Sequence, residues 1–455
     1  MDSATLRLVI LISCCHALVH IYEHSFASVE QLVAEQFHVS QSTTGALGMY
    51  LGLPLGLFAF AAGWLSDRFG AKRLLLVYLF GCSAMLALAA FAGLALGLVM
   101  LGVSLFLMGS FAAIYHPAGV GLISHETHPQ NRPMALGYHG IFGSAGIAAG
   151  PFIAAIVLAT GVPWWAYFLV LAVPGVVLAV VLMTMFTHRH EASSGTPVRR
   201  EGATGVSPML ASAGASPDED ESASSDADEI VPLETTAANG ASNTSGAEPP
   251  DEPPPDHAEN HSRWDCYVLL VAAMLPAGMI YRAVLTFLPR YLDHSGFDLT
   301  IIPPESLRNF LTGFVLILGI IGQYVAGRIA RHETLEPLMA LTFVLVSPVL
   351  LWMGVASGAW RIVAAGLFAV LFFMHQPVLN SLVAKYSSRR RRSLAYGMSF
   401  TLGFGVGSYG SKLAGDLQAR WGDSGTLASY SVLAAMALLV AALTTAAWWR
   451  YRRAG

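Results

Sequence analysis

Four ionisable side chains near the start of the chain, His16, His20, Glu23 and His24, recur at i, i+4, i+7 and i+8. On a helix of 3.6 residues per turn that spacing puts all four on one stripe. Imidazoles and a carboxylate titrate near neutral pH when their surroundings shift them, so such a stripe suits a proton relay. It also suits contact with a polar solute, or metal ligation through His16 and His20, which are one helical turn apart. The plainer alternative is a hydrogen-bonded face between helices. Arg282, Thr286 and Arg290 make a second stripe at i, i+4 and i+8. Arg282 either pairs with Glu23 or receives an anionic solute. His116, His139, His375 and Gln376 complete the candidate solute or proton pathway, with packed, satisfied histidines as the alternative at His116 and His139. Lys412 and Asp416 read as a snorkelling pair, and His125 and His128 as solvated loop residues. No nucleophile–base constellation points to an enzyme. No Gly-rich loop ending in Gly-Lys-Ser/Thr supports direct use of ATP, and no cofactor is expected. Cys14, Cys15, Cys82 and Cys266 lie in or beside apolar runs without zinc-like spacing, which argues against a disulfide framework and a structural metal.

The elements that must hold these groups are membrane helices. Of the 455 residues 55% are apolar and only 12% charged, where a soluble chain carries about a quarter charged residues. Apolar runs of about 20 residues, the length that crosses a bilayer, fall near 5–27, 43–65, 73–95, 97–123, 134–160 and 164–186. After an interruption they resume near 264–288, 308–330, 337–356, 360–384, 394–417 and 426–449. The expected fold is therefore all-α and polytopic, with twelve transmembrane helices in two six-helix halves, residues 1–187 and 263–455. Leu11–Cys14 looks like a lipoprotein cleavage box, but the apolar run continues past Cys15, so an uncleaved first helix is expected. An ionisable residue at membrane depth costs at least about 2.5–3.5 kcal/mol, so the first-span stripe should line an aqueous centre between the halves.

The interruption, residues 188–262, holds 15 acidic and 3 basic residues among Ser, Ala and Pro. Such a composition cannot bury enough apolar area to fold alone, and the segment reads as a flexible acidic tether. With the first residues inside, cytoplasmic segments hold 19 Lys and Arg and outer segments 4, which puts both termini in the cytoplasm. The run Arg389–Arg392 is then a topology anchor and not a nucleic-acid patch.

The halves repeat one another. Tyr115-His116-Pro117 matches Met374-His375-Gln376-Pro377 with the prolines 260 positions apart, and each proline precedes a glycine, Gly137 or Gly397, by 20 residues. Ala62-Gly63-Trp64-Leu65-Ser66-Asp67-Arg68 matches Ala326-Gly327-Arg328-Ile329-Ala330-Arg331-His332 at an offset of 264. A repeat of six helices plus six is the architecture of one large transporter class.

Gly63-Trp64-Leu65-Ser66-Asp67-Arg68-Phe69-Gly70-Ala71-Lys72-Arg73 resembles the loop signature of the major facilitator superfamily and sits between the second and third spans, as that family requires. The resemblance covers essentially the whole chain except the acidic segment. It implies that Asp67 latches an inner gate against the start of the eleventh span, Ser393-Leu394, with Arg132 a second partner, while Arg68, Lys72 and Arg73 anchor the inner face. The second copy carries Arg331 in place of the acid. Gly146-x-x-x-Gly150-Pro151 resembles a motif of the family's exporters, with close helix packing through small residues as the alternative. The His116-Pro117 and Ala135–Gly137 region is similar to the fosmidomycin-resistance branch.

The sequence thus describes a secondary transporter of a small solute in a bacterial inner membrane, a monomer with protons as the expected coupling ion. Proton-coupled export of a small organic or drug-like molecule fits best. The rivals are organic-anion uptake or exchange on account of Arg282, divalent-metal export on account of His16 and His20, and a non-transporting membrane sensor.

Overall fold

The computed structural model describes residues 1–128, 130–194, 263–388 and 392–453. The acidic segment from residue 195 onward and Arg389, Arg390 and Arg391 lie outside the described residues. Met1–His190 and Ala258–Gly455 form one compact unit, and every described element in it is helical.

The first half begins with α1 (Ser3–Phe37), whose Asp2 side chain accepts the Ala4 and Thr5 N–H groups, satisfying donors that a helix start leaves free. Then come α2 (Gln41–Leu57), α3 (Ala59–Phe69), α4 (Ala71–Phe91), α5 (Leu98–Ala112), α6 (Tyr115–Glu126), α7 (Arg132–Leu158) and α8 (Trp164–Ser194). The second half comprises α9 (Trp264–Asp293), α10 (Pro304–Ile329), α11 (Leu335–Val355), α12 (Trp360–Phe373), α13 (His375–Tyr386), α14 (Arg392–Phe400), α15 (Tyr409–Trp421) and α16 (Gly425–Arg453).

Among the described residues ten helical stretches are long and apolar enough to cross a membrane, counting α5 with α6 and α12 with α13 as single stretches. The pair α2 and α3, bent by 46° at Phe58, supplies an eleventh. Pro54, four residues before the bend, cannot donate to the ladder and crowds the carbonyl one turn back. The crossing expected near 394–417 is α14 and α15 joined by a π turn, Thr401–Gly405, and a 3-10 turn, Val406–Ser408. Repeated prolines break equivalent helices: Pro117 follows the α5–α6 junction and Pro377 the α12–α13 junction, so His116 and His375 each sit just past a break.

Within the loop signature the chain turns between α3 and α4 at Gly70, with φ +88°, a conformation open to glycine. Gly63 instead lies inside α3, facing Pro117.

Buried apolar side chains gather into two cores, one from α1–α8 and one from α9–α16 joined by Ile147 and Ala148 of α7. The halves meet reciprocally: α1 packs on α9, α2 on α15 and α7 on α10. On α8, Val173, Val177 and Val180 are exposed, as expected of a surface facing hydrocarbon.

Candidate functional site

The α1 stripe points inward, and the neighbouring helices are shaped to receive it. His16 is buried, and its Nδ1 lies 2.7 Å from the His139 carbonyl of α7. A carbonyl only accepts, so Nδ1 carries the hydrogen and donates. The His16 ring stacks on that of His139 at 3.8 Å between centroids. Gly143 makes room, since a Cβ there would lie 2.3 Å from His16 Cε1. The His116 ring of α6 stands nearly perpendicular to that of His16 at 5.4 Å, and the His20 ring lies 4.9 Å from His16 and 5.7 Å from His116. His20 Nδ1 is 2.9 Å from Glu23 Oε2. One nitrogen from each of His16, His20 and His116 falls within 4.8 Å of the others, as do one atom each of His20, Glu23 and His24. Both groups are close enough to hold a metal ion.

Glu23 crosses to the second half. Its Oε1 lies 3.2 Å from Arg282 Nη1 of α9, with both side chains almost fully buried. Beside it His24 Nε2 is 2.9 Å from the Tyr281 hydroxyl. Arg282 Nε and Nη2 have no hydrogen-bond partner among the described residues. That edge of the guanidinium faces Gly52 of α2, where a Cβ would stand 2.0 Å from Nη2. The sequence stripe on α9 continues to Arg290, which makes a two-pronged bond to Glu30 of α1 at 2.9 and 3.1 Å. Thr44 of α2 also donates to Glu30. Two ion pairs therefore form a ladder between α1 and α9, spaced i, i+7 on one helix and i, i+8 on the other.

Sequence reasoning missed Glu30. The signal was present in that spacing, opposite the cation stripe.

More bonds join the halves at the Glu30 end. Gln31 donates to Asp293 at 3.0 Å, Asn309 to the Ser28 carbonyl at 2.9 Å and Ser411 to the Gly45 carbonyl at 3.0 Å. Lys412 pairs with Asp416 and also reaches Ser42 of the first half. The opposite end, which carries the loop signature, differs. Asp67 is exposed and makes no ion pair among the described residues, neither with Arg132 nor near the start of α14. Lys72 pairs with Glu126 at 2.9 Å within the first half, and Arg68 lies over the Trp64 and Phe69 rings. No ion pair joins the halves at this end among the described residues.

The remaining candidates separate. His375 is buried beside Phe343 and Phe372, with its Nδ1 bonded to the Phe372 carbonyl, apart from the α1 cluster. Gln376 accepts from Gln323, whose own carbonyl oxygen accepts from Ser144 of α7, so a polar chain links α13, α10 and α7. Gly146 lets α7 touch α1, a Cβ there falling 2.4 Å from the Ala17 carbonyl oxygen. Gly150 is looser, 3.5 Å from that of Ile21, and Pro151 lies inside α7. His125 and His128 are exposed.

Comparison with known proteins agrees with this architecture. The profile described as Major Facilitator Superfamily matches residues 12–411. The Multidrug efflux pump LfrA of Mycolicibacterium smegmatis is 36% identical over 152 residues, covering 33% of this chain and 29% of the pump. A bacterial homologue of the human lysosomal transporter Spinster, solved inward-facing and unoccupied, superposes with a TM-score of 0.66 at 13% identity, over 100% of this chain and 98% of that one. A D-xylose–proton symporter gives a TM-score of 0.66 at 12% identity, over 96% and 97%. At these identities the solved structures speak to the fold.

Proposed function

Because the chain belongs to the Major Facilitator Superfamily, we propose that it is a proton-coupled exporter of a small organic or drug-like molecule. It is a multi-pass membrane protein, and we place it in a bacterial inner membrane with both termini and the loop signature in the cytoplasm. The observation that carries the reading is the α1–α9 ladder, Glu23–Arg282 and Glu30–Arg290. A proton entering the ladder removes one carboxylate charge and with it the attraction across that rung. Movement of the halves is thereby tied to proton occupancy, which is what coupling requires. In this conformation ion pairs join the halves at the Glu30 end, and among the described residues none joins them at the loop-signature end. Local similarity to a multidrug efflux pump supports export. The acidic segment, residues 188–262, acts as the tether between the halves.

A second reading, transport of an organic anion, is favoured by one observation. Arg282 has two buried N–H groups without partners, and a carboxylate or similar group would satisfy both.

Purified protein in liposomes, given a panel of cationic, neutral and anionic organic compounds with and without an imposed pH gradient, tests both. Export predicts pH-driven movement of cationic or neutral compounds, lost in Glu23→Gln or Glu30→Gln. Movement of anions alone supports the second reading, and indifference of every compound to the gradient refutes proton coupling.

A further inference from the structure

The three imidazoles that meet in the first half have a hydrogen-bonding pattern that a proton pathway does not require. His16 spends its Nδ1 hydrogen on the His139 carbonyl, and His20 Nδ1 faces the Glu23 carboxylate. Both acceptors can only accept, so in each neutral ring the other nitrogen, Nε2, is left as a bare lone pair. His116 makes no hydrogen bond among the described residues, yet its ring lies 5.4 Å from that of His16 and 5.7 Å from that of His20. One ring nitrogen from each of the three lies within 4.8 Å of the others, and no hydrogen bond among the described residues joins them. A shared proton would satisfy two lone pairs, whereas three call for a larger acceptor of electron pairs.

We propose that His16, His20 and His116 bind one transition-metal ion of the zinc class. Ring nitrogen is the donor such ions favour, and magnesium and calcium, which want oxygen, are poor fits. The outer contacts match what metal-binding histidines ordinarily have, a second ring N–H given to a carbonyl or a carboxylate. Here one histidine uses each kind. His16 and His20 at i, i+4 supply two ligands from one rigid helix, and the turn that Pro117 breaks brings His116 from another. With metal–nitrogen bonds of about 2.0–2.1 Å, tetrahedral ligands stand roughly 3.4 Å apart, so side-chain rotations must draw the rings together by about an ångström. His139 contributes the independent sign of an unmet ligand. Its Nε2 is buried without a partner although its ring lies 3.8 Å from that of His16. It is the group available to bond a water in the fourth position. Every ligand belongs to α1 or α6, inside one half, so the site persists as the halves move and does not depend on the export reading.

The test uses the full chain, without a polyhistidine tag, in detergent. Titration with Zn2+ alone should give one ion per chain and raise the melting temperature. Co2+ in its place should show the intense visible absorption of tetrahedral nitrogen ligation. His20→Gln and His116→Gln should each abolish the absorption, while His125→Ala together with His128→Ala leaves it intact. Glu23→Gln keeps every ligand and should weaken Zn2+ binding by about 10–100-fold. Should His16→Ala fail to fold, the other two ligand variants decide. The proposal is overturned if Co2+ gives only the weak octahedral spectrum, or if stoichiometry survives both His20→Gln and His116→Gln. It is equally overturned if binding disappears when His125 and His128 are replaced. None of these readings involves transport, so each stands or falls apart from export.

Discussion

Glu23→Gln removes one charge from an ion pair that joins α1 of the first half to α9 of the second. The separation is 3.2 Å and both side chains are at most 5% exposed. At an effective dielectric of about 20, two unit charges at that distance attract by about 5 kcal/mol. Desolvation has already been incurred by both, and the Gln amide cannot return the charge. Arg282 is then left with Nη1 unpaired in addition to Nε and Nη2, which are unpartnered already. The single variant should lose about 3–5 kcal/mol, the range for breaking one side of a buried pair. Arg282→Gln alone should lose a similar amount. The double variant should recover most of it, because it strands no charge. The assay is denaturation of all four proteins in one detergent, read as a double-mutant cycle. A coupling near 3 kcal/mol is expected for residues in one network. Additivity to within about 0.5 kcal/mol would refute the reasoning, as would a Glu23→Gln protein as stable as the parent. If Glu23 also carries the coupled proton, the folded double variant should exchange substrate yet ignore a pH gradient.

Gly52→Ala should act on the same pair from the other side. Alanine ordinarily strengthens a helix by about 0.8–1 kcal/mol relative to glycine, but here its Cβ would stand 2.0 Å from Arg282 Nη2. It should therefore destabilise the parent and be neutral or stabilising in Arg282→Gln; stabilisation of both would dismiss the clash. Asp67→Asn should leave the melting temperature unchanged, since Asp67 is exposed and unpaired in this conformation. It should slow turnover and raise cysteine labelling from the cytoplasmic side, and unchanged turnover with unchanged labelling would remove Asp67 from the gate. Shortening residues 188–262 to about 25 flexible residues, which still span on the order of 25–30 Å, should preserve transport; loss of transport in a well-folded deletion protein would overturn the tether.

Much of the architecture was legible because lipid imposes a simple rule. Apolar runs of fixed length mark the crossings, and the repeated proline marks where two of them break. The α1 stripe was legible for the same reason, since charges on an apolar helix must face inward. Its partner on α9 could be named from the repeat, because Ile21-Tyr22-Glu23 matches Ile280-Tyr281-Arg282 at an offset of 259. Glu30 escaped because hydropathy ended the first span near residue 27, whereas α1 runs to Phe37. Just past that point Ser28 and Glu30 are buried and Gln31 half-buried, the Ser28 carbonyl and the Glu30 and Gln31 side chains meeting the second half. No composition rule separates such a stretch from a solvated loop; its burial comes from another part of the chain. Asp67 shows the complementary difficulty. The loop signature implies a latch, but a latch closes in one conformation only, and a sequence carries no mark of which conformation will be seen.

The contact of α1 and α2 with the second half is built unlike the core of either half, whereas α7 lends Ile147 and Ala148 to the second core. Gly45, Gly48, Gly52 and Gly56 follow one another along α2, and each faces the second half: Ser411, then Thr286 and Ser411, then Arg282, then Gly405. Large side chains interlock within each half, with Tyr78, Tyr115 and Phe168 buried in the first and Phe343, Phe368 and Phe372 in the second. Interlocked cores resist sliding, because every shift opens voids and forces strained rotamers. A glycine-lined face has no such teeth. What holds α2 and α1 to α9 and α15 is instead a small set of polar bonds, two of them ion pairs whose strength depends on charge. Separation at this seam requires breaking those bonds, not repacking a core. On the proposed export reading, the energy that resists opening at this seam is concentrated in carboxylates that a proton would neutralise, so the halves would part there without either core being repacked.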